Sequence, residues 1–591
     1  MLSSVASVVP MGGGRLWLWI PILLALPFLS TWILSNINAR RSRNGEPPLI
    51  PYTIPWLGLG LFLAKDVTGF GVWVRKKYPN QDVLTAVVAG QHFYVVLDPK
   101  LVALIYRRPK FFTFEPFVVL AGRIFGSSKH DLDILKMGTR GVKHGPDYHD
   151  DGKRLAWELH AQLPLHLEGP NLVCMVSKFV ETLYANLDKE FPKGQGASGQ
   201  WVTLDLCEFV KRHMTMASIP SLYGSRIVDM WPRLYEDFWE FDAVMQILLL
   251  DLPDVLLPTA AARRKLMLQK LIEWEDQASK YKSIEEIEAE DPDWDEYWGA
   301  RLLRARYRAA AKNGISKAGR GPFQLGLIWG QNANAIPVGV WMALQCVLDS
   351  DLQRRARSEI STCRNPDGTF DVNGLVTKPL LKSLFLEALR FAVASPSLRV
   401  VLETTEIGGY TFHKGNQILV PGRQLQMEKS VWAPNDSLVD PAEFWAERFL
   451  DLEKDDHGDA ERVAEALEAN AEYEATSGAA KPATTTNTDT SSGRARPKIS
   501  TDAMALPSSS KSREIRERML SLRPFGGGVT LCPGRHFAMY EAIATLAVML
   551  FDYDIEIDQE ALARVGIPQP DIFKVGGMGP DRAMAVRMRR R

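Results

Sequence analysis

The segment RPFGGGVTLCPGRHFAMYEAIATLAVMLF, residues 523–551, constrains this chain more than any other. Three consecutive glycines ahead of a cysteine carry no Cβ and let the backbone come close to a flat partner, and Pro533 with Gly534 turns the chain sharply afterwards. An apolar-patterned helix then begins at about His536. A thiolate fixed in such a turn can ligate iron, with neighbouring backbone N–H groups taking up part of its negative charge. The plainer alternative is a glycine-rich loop around a buried free cysteine.

The other cysteines do not compete for that role. Cys174, Cys207, Cys346, Cys363 and Cys532 are odd in number and lack CxxC spacing, which argues against a disulfide framework and a structural zinc site. The first four read as small buried hydrophobes. Lys plus Arg balance Asp plus Glu at 70 each, so no charge bias points to nucleic acid, and the 46% hydrophobic content is enough for a large core.

Residues 16–34, LWLWIPILLALPFLSTWIL, carry no charge. At about 1.5 Å per residue a helix of this length approaches the roughly 30 Å hydrocarbon core of a bilayer. Pro21 and Pro27 weaken a soluble helix but are tolerated in membranes, and Trp17, Trp19 and Trp32 lie near the ends, where indoles favour the interface. Only Arg15 precedes the segment, whereas Arg40, Arg41 and Arg43 follow it, which places the bulk of the chain in the cytosol. A cleaved secretory signal would need a shorter apolar core and more positive charge ahead of it. The expectation is therefore a membrane anchor over 1–40, with a transmembrane helix at about 16–34, then a basic, proline-rich connector over 41–60. The prolines of PPLIPYTIPWLG stiffen that connector.

Beyond it, VLTAVVAGQHFYVVLDP (83–99) reads as two strands around an Ala-Gly turn, and PKLVALIYRRP as a short helix. Helical periodicity dominates about 155–353. Between about 452 and 510 an Ala- and Glu-rich stretch leads into TSGAAKPATTTNTDTSSGRARPKIS, too poor in apolar residues to build a core, which reads as a disordered surface insertion. The fold class is mainly α with a small β portion.

Three further patterns carry chemistry. In LFLEALRF, Glu387 and Arg390 are three apart on a helix and emerge on one face, a spacing that by itself usually marks a solvated pair. PAEFWAERF (441–449) sets Glu447 and Arg448 in an aromatic, apolar context, where an arginine fork suits a carboxylate or a carbonyl. QLGLIWGQNANAIPVGVWMALQCVL (324–348) is an apolar helix with a polar patch at Gln331, Asn332 and Asn334, and Pro337 predicts a kink that frees a carbonyl.

Phe525, Gly528, Cys532 and Gly534 match FxxGxxxCxG at every fixed position, and the chain resembles the cytochrome P450 family, whose haem loop has this pattern. The motif-bearing resemblance runs from about 321 to 551. It implies haem b (iron protoporphyrin IX) with Cys532 as the axial iron ligand, and the order ExxR, AERF, cysteine loop resembles the family's triad, here Glu387, Arg390 and Arg448, which supports the haem pocket. One position departs: the basic residue two before the cysteine, a propionate partner, is Thr530. Arg399, in SLRVVLETTEIGGY, occupies the place where the family commonly has another propionate-binding arginine.

Most monooxygenases of the family carry an acid followed by threonine on the distal helix, and here the pair is Ala333-Asn334. WGQNANAIP instead resembles WxxQxNxxP of the branch containing cholesterol 7α-hydroxylase, sterol 12α-hydroxylase and prostacyclin synthase, as does GxTLCPGRHFA. The resemblance implies a P450 fold over 61–591, anchored in the endoplasmic reticulum membrane with the catalytic domain cytosolic. The implied reaction is hydroxylation of a lipophilic substrate, a sterol, triterpenoid or other terpenoid, using O2 and electrons from NADPH–cytochrome P450 reductase, with cytochrome b5 as an optional second donor. The rival activities are a reductase-independent isomerase or dehydratase of a peroxide, and a non-enzymatic haem sensor.

Overall fold

Ala89 and Gly90 both take positive φ, 48° and 75°, the backbone that a two-residue hairpin turn needs. They join β1 (Val83–Val88) to β2 (Gln91–Val96), paired antiparallel with Val83 opposite Val96, as the Ala-Gly turn predicts. Asp98 then caps the helix Pro99–Tyr106 by accepting from the Lys100 N–H, with Pro99 in the first turn, where its missing N–H costs nothing. The structure is a computed structural model that describes residues 16–40, 45–142, 154–191, 200–433, 439–450 and 517–591. The insertion expected over 452–510 lies outside these.

Three more strands, β3 (Phe112–Thr113), β4 (Ser397–Val401) and β5 (Gln417–Val420), complete a five-stranded sheet in the order β1-β2-β5-β4-β3. Only β2 and β5 run parallel in it. The proline-rich connector lies along its edge, with Ile50 N–H donating to Thr85 O and Leu59 N–H to Val87 O. A small antiparallel sheet of Val202–Asp205, Tyr553–Ile557 and Ala585–Arg590 ties the carboxyl end to the middle of the chain.

Apart from two short antiparallel pairs, Trp294–Asp295 with Gly299–Ala300 and Thr405–Ile407 with Tyr410–Phe412, the remaining regular elements are helical. The amino-terminal helix α1 (Leu16–Arg40) exposes Leu23, Leu24, Leu26, Phe28 and Leu34, and its Ser35 hydroxyl donates to Tyr52 O at 2.8 Å. Among the described residues no single helix is long and apolar enough to cross a membrane, so the transmembrane helix expected at about 16–34 is not shown by the fold. The core elements that follow are α2 (Leu155–His166), α3 (Gly169–Glu190), α4 (Leu206–Tyr223), α5 (Arg301–Lys312), α6 (Lys317–Asn332), α7 (Ala335–Leu348), α8 (Pro379–Ala392) and α9 (Arg535–Asp552). Apolar all round, α7 is buried from Ala335 to Leu344, as a helix of that composition must be, and it packs against α4, α8 and α9.

The run of residues 317–348 stays right-handed throughout, with Ala333 and Asn334 still in helical backbone between α6 and α7. The interruption falls at these two residues, upstream of Pro337. Pro337 has no N–H to give the Ala333 carbonyl, four residues back, and the chain of Gly576 and Gly577 lies against this point: a Cβ on Gly577 would stand 2.5 Å from Ala333 O.

Candidate active site

The cysteine loop is shaped by its glycines. Gly526 and Gly528 have φ of 73° and 61°, left-handed backbone that favours glycine, and a Cβ on Gly528 would meet Tyr106 O at 2.4 Å. The Cys532 N–H donates to Phe525 O at 2.9 Å, which closes the loop. Burial raises the pKa of the Cys532 thiol, while the backbone N–H groups of Gly534 and Arg535 and the Arg535 charge pull it the other way. These N–H groups are the donors the loop sequence predicts for a thiolate.

Behind the loop, Glu387 and Arg390 are both fully buried. Arg390 forks onto the carboxylate, Nη2 to Oε1 and Nε to Oε2 at 2.7 Å each, and Arg448 Nε reaches Oε2 at 3.1 Å. The Trp445 N–H also donates to Glu387 Oε1 at 2.9 Å, and the remaining guanidinium donors go to carbonyls of Gln426, Trp432, Pro441 and Glu443. Each charge therefore has a partner, which is the condition for burying it. The neighbouring Glu447 pairs instead with Arg355.

Cys532, Phe525, Gly534, Arg399 and Asn334 line one cavity of about 700 Å³. Gly528, Glu387, Arg390 and Arg448 do not face it. From the opposite side of the triad helix, Phe385 and Leu389 do, so α8 connects the ion-pair cluster to the cavity wall. Ala333 and Asn334 are separated: Asn334 borders the cavity, whereas Ala333 is buried on another side of the helical turn.

Comparison with known proteins fits this geometry. The family model for cytochrome P450 matches residues 335–463, ending before the cysteine loop. A cytochrome P450 monooxygenase of Humicola fuscoatra, fsoE, is 30% identical over 73% of this chain and 70% of its own length. The chain belongs to the cytochrome P450 family. The cytochrome P450 monooxygenase efuG of Hormonema carpetanum is 27% identical over 97% of this chain and 95% of its own, and cytochrome P450 7A1 of Oryctolagus cuniculus is 22% identical over 90% of each of the two chains or more. A retinoic acid-bound cyanobacterial CYP120A1 structure shares the fold, with TM-score 0.57 at 14% identity, covering 93% of this chain and 100% of that one. The cofactor of this P450 is thus haem, and its class of reaction is monooxygenation.

The residues present fit that cofactor. The cavity joins a thiol set among backbone donors, apolar walls such as Phe525, Val338 and Val393, and the guanidinium groups of Arg154, Arg399 and Arg523, suited to two carboxylates on a flat apolar body. Arg399 is 3% exposed. It lies over the rings of Tyr106 and Phe114 and donates to Gly527 O and the Thr530 hydroxyl.

Sequence reading did not single out several cavity residues. Glu541 on α9 is 1% exposed. The Ser218 hydroxyl donates to its Oε2 at 2.8 Å, and Gln331 Nε2 donates to Ser218 Oγ at 3.1 Å. Desolvation pushes the Glu541 carboxyl up from the usual 4.5 to about 8, and among the described residues its Oε1 has no hydrogen-bond partner. On α2, His160 Nε2 meets Val529 O at 3.1 Å, and burial lowers its pKa, so the ring is the neutral donor to that carbonyl. The polar patch at Gln331 was a usable signal. Glu541 and His160 stand in ordinary amphipathic patterns and give none.

Proposed function

We propose that this P450 hydroxylates a lipophilic polycyclic substrate, a sterol, triterpenoid or other terpenoid, with O2 and electrons from NADPH–cytochrome P450 reductase, and with cytochrome b5 as an optional second donor. The observation that carries this reading is the single apolar cavity with Cys532 on one wall and the Asn334 amide on another. Bound haem supplies dioxygen activation and the oxidising power. Cys532 would be the axial ligand, held by the loop that Phe525, Gly528 and Gly534 shape, and Arg399 would neutralise a propionate. Glu387, Arg390 and Arg448 would hold the wall behind the loop rigid.

Asn334 would take the part that an acid and an alcohol play in other P450s. Its amide offers both a donor and an acceptor, enough to orient a water toward the oxygen side of the cavity. Among the described residues no hydrogen bond engages it. Substrate would be held mainly by apolar contact, from Phe117, Val118, Leu327 and Leu389 among others, which orients a rigid hydrocarbon body and excludes water.

Membrane attachment at the endoplasmic reticulum, with the catalytic domain cytosolic, is part of the same proposal. Its support is the exposed apolar side chains of α1, together with Trp56, Leu61, Val255, Leu256 and Phe573, and Arg40 at the end of the helix with Arg41 and Arg43 after it. The test is turnover of a terpenoid and sterol panel by the full chain in reconstituted membranes. Product should require both NADPH and reductase and carry one atom of labelled dioxygen. Full-rate product from an endoperoxide or hydroperoxide without reductase, and without label, would replace the monooxygenase with an isomerase.

A further inference from the structure

Arg306, on α5, borders the cavity at the face where α2 packs. Its Nη1 donates to Leu159 O at 2.8 Å, and among the described residues no carboxylate pairs with it. The next residue on α2, His160, is bonded to Val529 O of the cysteine loop, which places the guanidinium on the cysteine-loop side. Around it the lining is apolar, with Leu159, Leu163 and Leu302. Desolvation draws its pKa down to about 10, which leaves it a cation at neutral pH. Neighbouring groups offer no compensation: His160 is neutral, and the Tyr223 hydroxyl is committed to Gln324 O at 2.8 Å.

A guanidinium set against apolar cavity walls with no carboxylate beside it is costly unless a partner arrives. A guanidinium has five donors in a fork that matches a carboxylate, and one of Arg306's is committed to Leu159 O. We propose that Arg306 is a carboxylate-binding subsite of the cavity, engaging one acid group on an otherwise apolar ligand. Two ligands carry that chemistry: a lipophilic substrate bearing a carboxylic acid, and the haem through a propionate. The inference rests on the P450 reading for the identity of the cavity, but binding and haem retention are measured without turnover. A failure here therefore leaves the proposed reaction standing.

The experiment uses the purified full-length holoenzyme and Arg306→Leu, with Arg306→Gln as a second variant that can still donate to Leu159 O but carries no charge. Palmitic and abietic acids are titrated against their methyl esters by the haem difference spectrum, and haem transfer to apomyoglobin is timed. If the partner is a substrate acid, the wild type prefers acids over esters and the variants lose that preference about tenfold or more, the size of a lost charge-assisted hydrogen bond, with haem release unchanged. If the partner is a propionate, haem release accelerates by a similar factor and esters bind like acids throughout. Unchanged haem release together with no acid preference in the wild type, or with a preference the variants retain, overturns the subsite.

Discussion

The Arg399 guanidinium donates to the Thr530 hydroxyl at 2.5 Å, and this contact answers the one departure in the cysteine loop. Thr530 stands where the family usually has a cation, and the cation that reaches this place comes from β4 instead. Thr530→Ala removes one hydrogen bond to a charged group, worth about 1.5–3 kcal/mol, and should lower haem retention moderately. Thr530→Arg, which restores the family's usual charge, should lower it further, because the new guanidinium would crowd Arg399. Haem-to-protein ratios after purification check both. A rise in haem content with Thr530→Arg contradicts the compensation.

Glu387 accepts from both Arg390 and Arg448 with all three at most 2% exposed. Removing one partner leaves an uncompensated buried charge, a loss of about 3–5 kcal/mol against a total stability of about 5–15 kcal/mol. Glu387→Ala, Arg390→Ala and Arg448→Ala should each give mostly haem-free, aggregation-prone protein. Glu447→Ala, whose residue pairs with the half-exposed Arg355, should be nearly silent. The reduced carbonyl spectrum of the expressed variants makes the comparison.

How much of this was legible in the sequence depends on whether the signal was local. The Ala-Gly hairpin, the short helix that starts at Pro99 and the glycine-shaped cysteine loop are set by residues adjacent in the chain, and the structure has them where the pattern places them. The triad was legible as spacing plus order, yet its burial, which makes it strong, comes from packing of segments about sixty residues apart. The interruption at Ala333–Asn334 lies one turn before Pro337, where the missing proline N–H frees the Ala333 carbonyl as the sequence predicts, whereas the loop of Gly576 and Gly577 that packs against it, more than two hundred residues downstream, was not legible. Arg306 was not singled out in the sequence, because its place at the cavity wall comes from the packing of α2 against α5. Ala333 was paired with Asn334 by position, but successive residues on a helical turn face different sides, and only Asn334 borders the cavity.

Glu541 ties stability to pH. Its carboxyl would lose its proton near 4.5 in the unfolded chain but holds it to about 8 in the fold. Between those values the folded state binds the extra proton, so stability falls as pH rises, by up to about 1.4 kcal/mol per unit. The contribution is complete below the lower value and gone above the upper one. Glu541→Gln, a neutral isostere, should match the wild type in mild acid and exceed it at about pH 8.5. Thermal loss of the Soret band at the two pH values reads this out. Parallel pH profiles for the two proteins would mean that the carboxyl is ionised in the fold.

Gly576 should set the position of the Asn334 amide. Its φ is 93°, its carbonyl is held by the Ala394 N–H at 3.0 Å, and a Cβ there would stand 2.5 Å from Asn334 Oδ1. Gly576→Ala therefore does two things: it strains a left-handed backbone by about 1 kcal/mol or more, and it drives the amide from its place at the cavity wall. The strain acts whatever residue occupies position 334, whereas the displacement needs the amide. A double-mutant cycle separates them. In the wild-type background Gly576→Ala should reduce product formed per NADPH consumed several-fold, with the difference released as peroxide. In an Asn334→Ala background, already poorly coupled, the same change should lower thermal stability as before but leave coupling nearly unchanged. Equal losses of coupling in the two backgrounds would mean that the glycine serves the loop alone and that the amide is positioned by something else.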